Sequence, residues 1–329
     1  MAASLLSRRR MTPIDLLGVA AKPYDIAIVG GGPAGLSAAI WAGRYGRQVV
    51  LVDRGDPRNW ATRGVNGYLG LAGVRPSSLR EAGRVEAASH DVLLADAEVL
   101  RVERCTHPLR DNCFALHVAG GDTLHARRVL LAFGLKDVWP DIPGLERVFG
   151  ASAHVCPDCD GHEARGQRIA VVGTGKRALA MALALRTWST SLTIVTNGRP
   201  VRLSVAAHER LRQNDIALRT DAIDHVEVDG RALQSLVFRS GDTLVVDKLF
   251  FNVAQRPADD LAAQLGCARD RGGHVVVSAH GATSISGVFA AGDITPGPQL
   301  AIRAAASGAV AAMAMHKSLL PVERTVAGV

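Results

Sequence analysis

Two stretches of the chain repeat the same order of apolar and small residues, 143 positions apart and without a gap over 30 residues. The first, from Ile26 to Gly55, reads IAIVGGGPAGLSAAIWAGRYGRQVVLVDRG, and the second, from Ile169 to Gly198, reads IAVVGTGKRALAMALALRTWSTSLTIVTNG. Each opens on a short apolar run, turns at glycines, continues as an Ala-rich stretch and closes on a second apolar run. Unbroken apolar runs on either side of a helix predict parallel strands buried on both faces. Each copy therefore predicts a βαβ unit. The pair predicts an α/β chain of two Rossmann-like dinucleotide-binding domains (three-layer ββα), the second inserted in the first.

The rest of the pattern places the boundaries. Residues 96–131 predict a β-meander turning at Gly120–Gly121, and a similar run turns at Asp229–Gly230 and at Gly241–Asp242. The strand Ala126–Ala132 leads through Phe133–Gly134 into a Pro-containing link, Trp139 to Gly144. A return crossing is expected near Ala254–Pro257. The first domain then covers 23–137 and 256–329. The inserted domain covers 138–255.

Composition narrows this picture. A chain of 329 residues, 48% hydrophobic but only 4% aromatic, has enough core for two domains and suits close helix–sheet packing. No apolar run reaches the roughly 18 to 20 residues that span a bilayer, so a soluble, cytoplasmic protein is expected. Residues 1–22 form a basic leader, expected to be disordered, without the apolar stretch and cleavage site of a signal peptide. Arg8, Arg9, Arg10 and Lys22 against Asp15 give that leader three of the seven net positive charges. The remainder is too weakly basic to argue for nucleic acid. Five cysteines, an odd number, argue against a secreted disulfide scaffold.

The first glycine turn, Gly30-x-Gly32-x-x-Gly35, follows a predicted strand and opens a helix, with Pro33 and Ala34 in its first turn. Such a turn lets a pyrophosphate approach backbone N–H groups. Asp53 closes the second strand, where a carboxylate takes ribose hydroxyls. Near the C-terminus, Gly292-Asp293 ends a short apolar run, and Gln299 and Leu300 precede an Ala-rich helix. Asp293 is placed for the ribityl hydroxyls of a flavin, and the helix N-terminus for its pyrimidine ring. Together these favour FAD over NAD in the first domain.

Cys156 and Cys159 stand in His154-Val-Cys-Pro-Asp-Cys-Asp160-Gly161, just before the second βαβ unit. The spacing permits a short disulfide loop and a thiolate near neutral pH. Asp160 is placed to move a proton to or from the departing thiol. A zinc site would need two further ligands, and no second C-x-x-C is present, so no metal is expected. Cys105 and Cys113 flank a predicted turn and are expected to be unpaired. His162 is near enough in sequence to hydrogen-bond at the motif, and Arg58 and Arg63 to approach the FAD phosphates, but all three are expected to be solvated surface residues.

In combination, GGGPAG at 30–35, C-x-x-C-D-G at 156–161, the second glycine motif at 173–178 and FAAGD with Gln299 resemble the low-molecular-weight thioredoxin reductases over roughly residues 23–318. The resemblance implies a homodimer, each subunit with an FAD-binding domain and an inserted pyridine-nucleotide-type domain that carries the dithiol, acting on a thioredoxin-like protein or a small dithiol or disulfide. It implies that Cys159 faces the flavin, Cys156 exchanges with substrate and Asp160 is the acid–base residue. It also implies FAD contacts at Gly30, Gly32, Gly35, Asp53, Asp293 and Gln299.

Two departures stand out. Pro follows the first cysteine, where those reductases typically have Ala, and residues 61–88 look more like a sister branch of dithiol oxidases that close disulfides in metabolites of the gliotoxin and holomycin type. Many members of that branch have His at the position of Asp160. In the second glycine motif, Gly173 and Gly175 are kept, but Thr196 stands where the first copy has Asp53. The cations that follow are Arg199 and Arg202, not the His-Arg-Arg group with which the reductases grip NADPH. Three functions stay in play: a reductase driven by NADPH or another donor, an oxidase fed by a small dithiol, and a redox-sensing flavoprotein without turnover.

Overall fold

The computed structural model describes residues 23–105, 113–252 and 254–324, so the leader lies outside the described residues. These residues form two compact units. The first gathers residues 23–58, 77–136 and 256 onward, the second 59–76 and 137–255. Segment 59–76, expected with the first domain, groups with the second. Among the described residues no helix is long and apolar enough to cross a membrane.

In the first unit, β1 (Tyr24–Val29), α1 (Pro33–Arg44) and β2 (Val49–Val52) form the first βαβ repeat. After α2 (Pro76–Ser89) come β3 (Leu93–Ala95), β4 (Val99–Arg104), β5 (Phe114–Val118) and β6 (Thr123–Leu131). The sheet order is β3-β2-β1-β6-β5-β4. Strands β1, β2 and β3 run parallel, as do β1 and β6, whereas β4, β5 and β6 form the antiparallel meander.

The chain leaves through β7 (Leu135–Val138). The second unit adds α3 (Leu145–Val148), β8 (Ala153–His154), α4 (Pro157–Asp160), β9 (Ile169–Val172), α5 (Gly175–Leu185), β10 (Leu192–Val195), α6 (Val205–Gln213) and β11 (Ile216–Arg219). It closes with β12 (Ile223–Asp229), β13 (Ala232–Phe238), β14 (Thr243–Val245) and β15 (Lys248–Phe251). Its parallel sheet runs β11-β10-β9-β15-β8, beside an antiparallel β12-β13-β14 sheet. The chain returns through β16 (Ala254–Pro257) to α7 (Leu261–Gln264), β17 (Val288–Ala290) and α8 (Ala301–Ser318). Strand β17 joins the first sheet parallel to β6.

The repeat holds at the level of single residue pairs. Ile26 lies opposite Val49 in the first unit, and Ile169 opposite Leu192 in the second, the same register shifted by 143. Both first strands are buried on both faces because apolar clusters cover each side of their sheets.

An expectation about the cysteines is also overturned. Cys105 and Cys113 are paired as a disulfide. They lie one step beyond the Arg104–Phe114 pair of the β4–β5 hairpin, Cys105 N–H donates to the Cys113 carbonyl at 2.8 Å, and the two Cα atoms are 5.1 Å apart. Cross-strand geometry therefore presents the two sulfurs to each other. With Cys156–Cys159 also paired, Cys267 is the free thiol. Burial pushes its pKa up, opposed by the hydroxyl of Thr283, so little thiolate exists at neutral pH. A chromogenic thiol assay on protein purified without reductant should find almost no thiol in the folded chain and one after unfolding. Three thiols after unfolding would return Cys105 and Cys113 to the unpaired state.

Candidate active site

In the second unit, β8 delivers the chain to Cys156 in extended conformation, with φ −124° and ψ 107°. Pro157 then opens α4, its fixed φ suiting a first helical position. Cys156 caps this one-turn helix, and its Sγ accepts the Cys159 N–H at 3.1 Å. That bond favours negative charge on the Cys156 sulfur whenever the disulfide is open. The two sulfurs are joined, with Cα atoms 5.3 Å apart. Gly161 follows because the Trp188 ring and the Pro157 carbonyl leave no room for a Cβ there.

Three side chains that pattern reading gave no role surround this turn. Asn66 Nδ2 donates to the Cys159 carbonyl at 3.1 Å, which ties segment 59–76 to the dithiol loop. The Asp160 carboxylate, 17% exposed, has Oδ1 3.3 Å from Nδ1 of His154, whose ring is 7% exposed. Lys248 on β15 donates to the Ala151 carbonyl at 2.8 Å. Burial lowers the Lys248 pKa and Arg63 lowers it further, while Asp160, Glu163 and Asp247 hold it up. Their only sequence signals were a histidine two residues before the first cysteine and an Asn-Gly turn. His162 and Arg63 are exposed.

The second copy of the glycine motif lies in the same unit but is not built like the first. Gly175, the counterpart of Gly32, has φ +68°, and α5 starts at this residue, one position earlier in the repeat than α1. Ala178 stands where the first copy has Gly35, and its methyl lies where a Cβ on Gly173 would come within 3.3 Å. Thr196 is buried, and its hydroxyl turns toward the Thr220 carbonyl at 3.5 Å. Arg199 and Arg202 are exposed and make no ion pair among the described residues. Lys176 and Arg177, exposed in the first turn of α5, are two further cations that the sequence reading did not count.

In the first unit, Gly32 caps α1 with φ −78° and ψ −175°, the extended conformation favoured before Pro33. A Cβ added to Gly32 would meet nothing within 4 Å, so open space faces the start of α1. Gly35, in contrast, sits against the Gly30 carbonyl, and a side chain there has no room. Asp53 follows β2 and pairs with Arg80 from α2. Asp293 lies in a short 3-10 turn after β17. Arg58 Nη1 donates to Asp293 Oδ2 at 3.1 Å and to Gln299 Oε1 at 2.6 Å. Arg58 is therefore not the solvated loop charge expected. The fold brings it 235 positions along the chain to a carboxylate it can pair with.

Two parallel dinucleotide-type cores and a C-x-x-C disulfide at a helix start define a redox protein of the disulfide oxidoreductase class. The chain belongs to the pyridine nucleotide-disulphide oxidoreductase family, which it matches over residues 24–308. Thioredoxin reductase tcpT of Claviceps purpurea is 32% identical over 281 residues, covering 82% of this chain and 86% of that one. Among solved structures, HlmI superposes with a TM-score of 0.86 at 32% identity, covering 90% of this chain and 92% of its own. TrxB of Bacillus anthracis superposes with a TM-score of 0.84 at 29% identity, covering 90% and 98%. The chain spans 59% and 64% of two longer curated relatives. It is a thioredoxin reductase-like flavin disulfide oxidoreductase, of a family that uses flavin and pyridine nucleotide.

Proposed function

We propose that the first unit binds FAD and that Cys156 and Cys159 exchange electrons between that flavin and an external thiol or disulfide. The observation that carries this reading is the Cys156–Cys159 disulfide at the start of α4, with Asp160 beside it. The first unit fits FAD. Open space faces the N-terminus of α1 at Gly32, where a pyrophosphate would meet free N–H groups. Gly30, Gly32, Pro33, Ala34 and Gly35 would hold it, Asp53 would take the ribose, and Gly292, Asp293, Gln299 and Leu300 would hold the ribityl chain and flavin ring. Arg58 joins that set through its bonds to Asp293 and Gln299. When bound, FAD would take or give the electron pair that opens and closes the disulfide.

The external partner is a thioredoxin-like protein or a small dithiol, and the chain acts as a homodimer. Similarity to proteins named thioredoxin reductase supports the reductase direction. A specific observation favours the second reading, a small-molecule dithiol oxidase. Residues 61–76 of the stretch that resembles that branch group with the dithiol unit, and Asn66 among them touches Cys159. The likeness to HlmI points the same way. Anaerobic mixing with NADPH, and separately with a small dithiol, decides the direction. Rapid flavin bleaching by the dithiol alone supports the oxidase, and bleaching by NADPH the reductase.

The purified protein should be yellow and carry about one FAD per chain, in keeping with one paired fingerprint. Chromatography of the released cofactor checks this, and no flavin, or FMN alone, would refute it. Gly32→Val separates binding from folding. The backbone there accepts a side chain and nothing clashes, so the melting temperature of the cofactor-free protein should barely move. FAD affinity should fall about tenfold or more, because the side chain fills the space before the helix start.

A further inference from the structure

His154 sits in an unusual state for a buried histidine. It lies on β8, where pairing with Phe250 of β15 fixes its backbone, and the Phe250 ring lies 5.4 Å from its own, centroid to centroid. Only 7% of the residue is exposed. Nδ1 lies 3.3 Å from Asp160 Oδ1, and Nε2 is buried without a hydrogen-bond partner among the described residues. Burying a ring nitrogen unsatisfied is unfavourable, and a phenylalanine or leucine would fill such a slot without that cost. What the imidazole supplies is its one polar contact, to Asp160. An Nδ1–H facing the carboxylate at this distance restrains its orientation.

We propose that His154 is a positioning residue that acts through Asp160 on thiol–disulfide exchange at Cys156–Cys159. The assignment rests on the redox role proposed above for that pair. In the step concerned, an external thiolate sulfur bonds to Cys156 Sγ and the Cys156–Cys159 bond breaks. Cys159 leaves with the electron pair and takes the proton of the Asp160 carboxyl. The products are a mixed disulfide at Cys156, a Cys159 thiol and an Asp160 carboxylate, and charge and atoms balance. His154 Nδ1–H then faces the carboxylate that has just become charged. In the reverse step the same contact keeps Asp160 aimed as it takes the proton back. Lys248, Arg63, Glu163 and Asp247 are the other charged groups that interact at this corner of the unit.

The test follows the Cys156–Cys159 disulfide itself. FAD-loaded protein is mixed anaerobically with dithiothreitol, quenched by alkylation at set times, and the labelled peptides are counted by mass. The native protein, H154F, H154N, D160N and H154F/D160N are compared, each shown to be folded by its melting curve, with H154L in place of H154F if the latter does not fold. H154F should open the disulfide about tenfold to a hundredfold more slowly, the loss expected when a general acid is misplaced. H154N, whose side-chain amide can present an N–H where Nδ1 stood, should stay within about threefold of native, a loss of under one hydrogen bond. H154F/D160N should match D160N within about twofold, because His154 has no route except through Asp160. An H154F rate near native, an H154N rate as low as H154F, or losses that multiply in the double variant would each overturn the assignment. A native protein that yields no alkylated Cys156 and Cys159 would overturn the redox reading itself, and this assignment with it.

Discussion

Replacing either Cys156 or Cys159 by serine should lower thiol–disulfide turnover by about a thousandfold or more, because two residues that act as one exchange unit lose their function together. A single thiol can form a mixed disulfide but cannot resolve it. FAD content should be unchanged, since the residues proposed to hold it all lie in the first unit. The two variants should differ in colour. If Cys159 faces the flavin, Cys156→Ser leaves a thiolate beside it and produces a long-wavelength charge-transfer band. Cys159→Ser leaves the outer thiol and no band. Steady-state turnover with a chromogenic disulfide and absorbance spectra of both variants check this. Full turnover in either would refute a shared dithiol, and a band in Cys159→Ser alone would reverse the two roles.

NADPH should reduce the flavin poorly compared with a suitable dithiol. In the first copy of the repeat, Asp53 supplies the carboxylate for a ribose diol. Its counterpart Thr196 is neutral and buried, with its hydroxyl turned to the Thr220 carbonyl. NADH therefore lacks its usual anchor. NADPH needs cations about its 2′-phosphate, best as bidentate arginine. Arg199 and Arg202 flank Pro200 on an exposed loop, and the Arg202 carbonyl, the wrong sign for an anion, lies 3.8 Å from where a Gly175 Cβ would be. Lys176 and Arg177 add positive charge at the start of α5 and keep weak binding of either nucleotide in reach. Each missing charged contact costs about 1.5 to 3 kcal/mol, or roughly tenfold to a hundredfold in affinity. Stopped-flow absorbance of the oxidised flavin, anaerobically with each nucleotide, measures it. Rapid, saturable bleaching at micromolar NADPH would overturn the expectation and favour the reductase direction.

The βαβ repeats, their glycine turns, the meander and the C-x-x-C turn were legible in the sequence because each rests on interactions within a few residues. Unbroken apolar runs specify strands buried on both faces, and the Pro, Asp and Gly about Cys156 and Cys159 specify a tight turn. The registers of Ile26 with Val49 and of Ile169 with Leu192 follow, since the same crossover length was written twice. What the sequence left open are contacts between residues that local pattern does not link. Arg58 reads as a loop cation until the fold sets Asp293 beside it. Cys105 and Cys113 read as unpaired until the hairpin register puts them opposite each other. Segment 59–76 reads as part of the first domain until Asn66 finds the Cys159 carbonyl, 93 residues on. The two glycine motifs look equivalent by spacing, yet Gly175 and Gly32 adopt opposite signs of φ, and the helix after Gly175 starts one position earlier in the repeat. His154 was part of the motif, but its meaning depended on which side of β8 is covered and on where α4 points Asp160. Those are decided by sheet pairing and packing between separate parts of the chain, where the free energy of a contact comes from burial and charge rather than from backbone preference.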